Sequence, residues 1–148
     1  MLVVIIRRLP SSGKREGIGV QERSGDWRQA LRAEFSTEEG TFLATALGGR
    51  WDKAAFGRLA RLLRRGCLDA EGREVVEKWV AEGYHHLDTQ FDRYLPPSLG
   101  LKDELVEDIR EHLMLLANWY FSGQCSLKDP SAMEAELVAL LARCPTAD

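Results

Sequence analysis

Cysteine is scarce in this 148-residue chain, and what there is forms no pattern. Cys67, Cys125 and Cys144 are an odd number, with no C-x-x-C pair and no zinc-ligand spacing, which argues against a disulfide scaffold and a structural zinc site. Reduced thiols in a cytoplasmic protein are the expectation. Long apolar runs are missing as well. Leu2-Val3-Val4-Ile5-Ile6 is a short run with arginines behind it rather than ahead, which is not the layout of a signal peptide. Nothing approaches the roughly 20 apolar residues of a membrane span. There is no P-loop, no G-x-G-x-x-G, no G-x-S-x-G and no H-E-x-x-H, so the usual marks of a nucleotide site, a serine elbow and a zinc protease are all absent.

What is present is an uneven distribution of charge. Residues 1–65 hold 13 of the 20 Lys and Arg and 7 of the 23 Asp and Glu, so the first part of the chain carries +6 and the remainder −9. Such a split speaks to electrostatic partners and little to fold. At 45% hydrophobic and 29% charged, the composition is that of a globular protein, with length enough to bury a core without covalent staples.

Periodicity predicts a mainly α, single-domain bundle of about six helices (26–148) preceded by a β-prone or flexible arm (1–25). Val3 to Leu9 and Ile18-Gly19-Val20 are strand candidates around a Pro10–Lys14 turn. Helices are expected over 26–35, 37–47, 51–65, 70–95, 102–121 and 130–143. Ser36 with Glu39 reads as a capping box opening the second, and Gly66 as the end of the third. Asp69 reads as the cap of the fourth and Pro96-Pro97 as its stop. In the fifth, Leu105, Ile109, Leu113, Leu116 and Tyr120 hold one face, and Gly123 follows its end. Asp129-Pro130 opens the sixth. Trp79, Leu105, Ile109, Leu113, Leu116 and Leu137 are the expected core.

Three constellations could carry function. Arg50, Arg58, Arg61 and Arg65 share one side of the third helix, and a row of guanidinium groups can neutralise a row of phosphates. No aromatic residues interleave with them as single-strand binders require. The second is acidic: Asp103, Glu104, Glu107, Asp108 and Glu111 share the fifth helix with Arg110 as the internal cation. The dipole stabilises the first two, whereas Asp103/Glu107, Glu104/Asp108 and Glu107/Glu111 are like-charge pairs at i, i+4, each unfavourable by a few tenths of a kcal/mol. Asp88 and Asp92 on the fourth helix extend this face if they lie alongside, and Trp119, in the aromatic run 119–121, is a candidate exposed anchor.

The third constellation is histidine. Glu82-Gly83-Tyr84-His85 has the E-x-x-H spacing of a helical di-iron site, but position 109, three before His112, is Ile109 where a second glutamate is needed. A metal-dependent enzyme using His85 and His112 is the remaining alternative, with a mononuclear site drawn from His85, Asp88 or Asp92 together with His112, and no cofactor is expected. A Cys125–His112 nucleophile pair has no feature to lower its thiol pKa. The leading expectation is a non-enzymatic protein-binding module, an inhibitor or immunity-type protein that meets a basic partner through Glu104, Glu107, Asp108, Glu111, Asp88, Asp92 and Trp119. Nucleic-acid binding through the arginine row is the first alternative, and no membrane association is expected.

Overall fold

A computed structural model describes residues 26–93, 99–127 and 129–146, so the β-prone arm and the Pro96-Pro97 stop lie outside the described residues. Six helices occur among them: α1 (Asp26–Glu34), α2 (Phe42–Leu47), α3 (Lys53–Ala70), α4 (Lys78–Arg93), α5 (Asp103–Ser122) and α6 (Pro130–Arg143). The mainly α expectation is met. No helix among the described residues is long and apolar enough to cross a membrane.

Helix α3 is the hub, because apolar residues occur on several of its sides. Phe56, Leu59, Ala60, Leu63 and Cys67 are all buried, and α1, α2, α5 and α6 pack around them. Phe42 of α2 lies 5.5 Å edge-on to Trp51, 5.5 Å from Phe56 and 6.0 Å stacked on Phe91, joining the short helix to α3 and α4. The fifth helix holds its expected face: Leu105, Ile109, Leu113, Leu116 and Tyr120 are buried. It ends where Gly123 turns left-handed (φ 73°) and returns its N–H to Trp119 O at 2.9 Å. Asp129 caps α6 through Ser131 N, as its sequence implies.

Four boundaries differ from expectation, one through a local turn and three through tertiary contacts that override the local signal. Ser36 does not cap α2: its hydroxyl donates to Ala33 O at 2.6 Å, closing the turn after α1, and accepts Glu38 N at 3.2 Å. Gly40 (φ 84°) then redirects the chain, and α2 begins only at Phe42, with Thr41 Oγ1 accepting from Ala44 N. Gly66 does not end α3. It is helical and buried, and a Cβ there would lie 3.1 Å from the Trp27 ring, so the position is small to admit that indole. Asp69 therefore sits inside α3 rather than capping α4.

Residues 71–77 are a loop where helix was expected, and α4 starts only at Lys78. Gly72 is left-handed (φ 72°). Arg28 of α1 reaches both Asp69 (2.9 Å) and Glu77 (2.8 Å). Arg73 pairs with Asp69, the Trp79 indole donates to Glu77, and Glu77 N donates to the Tyr120 hydroxyl. These contacts pin both ends of the loop, and they draw Trp79 away from the core face. The residue expected to be largely buried in the core is half-buried, with Arg32 over its ring at 4.2 Å and Phe35 edge-on at 6.2 Å.

Candidate protein-binding face

Helices α4 and α5 run antiparallel. Tyr84 meets Phe121 (ring centroids 5.8 Å apart) at one end, and Asp92 meets Arg110 (3.5 Å) at the other. Between them lies a groove of about 360 Å³. Its floor is apolar and buried: Tyr84, Leu87 and Phe91 from α4, Leu113 and Ala117 from α5. Exposed Met114, 43% accessible, forms one lip, and exposed His85 and Asp88 form the other.

Successive helical residues turn by about 100°, so on α5 Glu107 and Glu111 occupy the flank next to Met114, and on α4 Asp88 and Asp92 occupy the flank opposite. The groove thus has an acidic margin on each side. Arg110, which also lines it, is held by Asp92 at 3.5 Å and by Glu107 at 3.4 Å. Asp88, Glu104 and Glu111 are exposed and carry no ion pair among the described residues.

The expected row of uncompensated acids is therefore only partly so. Asp108 is engaged by Arg143 of α6, which places it on the α6 side of α5 away from the groove, and Glu107 is engaged by Arg110. Contacts between the arginines of 50–65 and the carboxylates of 103–111 are absent among the described residues, so the two charged faces do not answer each other. Trp119 is not a surface anchor. It is fully buried, its indole N–H donating to Glu71 Oε1 at 3.1 Å, because Tyr120 and Phe121 take the directions facing α4.

Two of the four arginines in the row are occupied with the fold. Arg58 donates to Glu34 (3.1 Å) and to Gly40 O (2.7 Å), and Arg61 to Glu134 of α6 (2.9 Å). Glu34, 7% exposed, uses its other oxygen to accept Phe42 N at 3.0 Å, so the Arg58–Glu34 pair anchors the start of α2. Arg50 and Arg65 remain exposed without an ion pair among the described residues.

The histidine pair is not assembled. His112 is buried against α6 with Nδ1 3.1 Å from Glu136, whereas His85 is exposed on α4. Among the described residues no group of three or more His, Cys, Asp or Glu is placed to hold a metal ion. All three cysteines are free. Burial pushes the Cys67 thiol up to about 12, its Sγ donating to Leu116 O at 3.3 Å, and burial also raises Cys144. Neither suits a nucleophile.

The groove itself was not legible in the sequence. Its floor residues look like ordinary core, and only the exposed Met114 between acids at 107 and 111 hints at an opening. Comparison of the chain with protein-family models, curated proteins and solved structures gives no match in any of the three.

Proposed function

We propose that this chain is a non-enzymatic protein-binding module that engages a basic partner protein through the acidic face formed by α4 and α5. The observation that supports it most is the convergence of acids from two helices: Asp88 lines the groove, Arg110 joins Asp92 of α4 to Glu107 of α5 at its end, and Glu111 lies one turn on from Glu107, with Asp88, Glu104 and Glu111 left unpaired among the described residues. Surface carboxylates that outnumber the one cation lining the groove, Arg110, raise a negative potential that steers a basic surface into register and disfavours acidic competitors. An inhibitor or immunity-type protein that masks a basic partner has this character. A reducing, cytoplasmic setting suits its free thiols.

Affinity purification of the full chain from its native host tests the reading. A basic protein should be retained at low salt and released as ionic strength shortens the Debye length from about 30 Å at 0.01 M to about 3 Å at 1 M. Retention of nucleic acid instead would transfer the function to Arg50 and Arg65.

A further inference from the structure

An acidic surface needs no groove, and the apolar floor between α4 and α5 calls for an occupant with apolar side chains as well as charge. We infer that the groove receives one face of an amphipathic basic helix from the partner protein, with apolar side chains against Leu87, Leu113 and Ala117 and Lys or Arg beside Asp88 and Glu111. This inference rests on the acidic-face reading above.

Three features select a helix of that chemistry. The first is backbone satisfaction. Both walls are helices whose own hydrogen bonds are closed, so the groove offers no strand edge, and an occupant must satisfy its backbone internally. The second is length. From Arg110 to Phe121, α5 lines the groove for about 16 Å at 1.5 Å per residue, which matches three turns of helix. The third is charge. Each margin is acidic, with Glu107 71% and Asp92 59% exposed, and the lining cation Arg110 is already neutralised by these two, so an incoming cation meets net negative charge on either flank. An apolar stripe between two basic flanks is the complement of this surface, with anchors at i, i+3 or i+4, and i+7.

The test uses the full chain and a synthetic helical peptide of leucine and lysine, about five turns long, with leucine confined to one face. Calorimetric titration should show one-to-one binding. Met114→Lys alters an exposed lip, and Ala117→Phe fills the floor. Each should weaken binding by roughly tenfold or more, with the unfolding midpoint of Met114→Lys unchanged. A lysine/alanine peptide of equal charge should bind roughly tenfold more weakly than the leucine/lysine peptide.

Absence of binding, or equal binding to wild type and Met114→Lys, overturns the inference. If the lysine/alanine peptide binds as well as the leucine/lysine one, the groove is not the site while the acidic-face reading stands. If a leucine/glutamine peptide binds equally well, the acidic-face reading itself falls. Self-association abolished by Met114→Lys assigns the groove to a second copy. Displacement of the leucine/lysine peptide by a peptide of residues 1–25 assigns it to the chain's own sequence. Either of these last results overturns the inference too.

Discussion

The ring of Phe35 fills the space that a side chain on Gly83 would need: a Cβ there would lie 2.1 Å from Phe35 Cε2. This contact seats the end of α1 on α4, and Phe35 in turn packs edge-on against Trp79. Replacing a glycine inside a helix by alanine ordinarily gains about 1 kcal/mol. Here the clash decides the sign, and Gly83→Ala should lose about 1–3 kcal/mol by urea denaturation, as overpacking does. Adding Phe35→Ala should recover part of that loss. A stabilised Gly83→Ala would contradict the contact.

Arg58→Ala should behave as a fold variant and not as a binding variant. Removing the guanidinium strands Glu34 in a nearly buried position, where it still accepts Phe42 N. With Arg58 half exposed, the expected loss is about 1–2 kcal/mol in thermal or urea unfolding. Unchanged stability together with reduced retention on immobilised nucleic acid would restore the arginine row as an interface.

The contrast between these pairs and the long helices explains how much the sequence disclosed. Helix α5 was legible to its ends because its apolar spacing, acidic first turn and Gly123 agree with one another. The capping box at Ser36 and the breaks at Gly66 and Asp69 were misread because their partners are Ala33, Trp27 and Arg28, of which only the first is a near neighbour in sequence. Of the candidate site, the acids on α4 and α5 were visible as charge. The answers to Asp108 and Arg58 were not, since Arg143 and Glu34 belong to other helices.

Acid should loosen the 71–77 loop through Glu77. The hydrogen bond from Arg28 holds this carboxyl below its ordinary 4.5, with partial burial opposing it and the Trp79 indole assisting. Its folded-state pKa is depressed, so as pH falls the unfolded chain takes up the proton first. The stabilisation is present above the ordinary value and disappears as pH drops through the folded one. Urea midpoints of wild type and Glu77→Gln between about pH 7 and pH 3 should differ most at neutral pH and converge in acid. A difference that stays constant across that range would contradict the assignment.

Cysteine reactivity should be confined to one residue. Cys67 is buried, with its thiol pushed up to about 12, and Cys144 is buried and also raised, whereas Cys125 is half-exposed. Alkylation of the native protein at mildly alkaline pH, read by peptide mass spectrometry, should therefore label Cys125 well before the other two. Comparable labelling of Cys67 would mean that the α3–α5 contact opens readily.

The acidic face is the central claim, and combined charge reversal at Asp88→Lys, Glu104→Lys and Glu111→Lys tests it most directly. These three side chains are exposed and hold no ion pair among the described residues, so stability should change by about 0.5 kcal/mol or less at Asp88 and Glu111 and fall by about 1 kcal/mol at Glu104, which lies in the first turn of α5 where the helix dipole opposes a cation. Measured together, urea stability and capture of the basic partner from native extract should separate: stability kept, capture lost. A variant that retains capture, or that loses several kcal/mol of stability by the same titration, would show that these acids serve the fold or nothing at all, and would contradict the account.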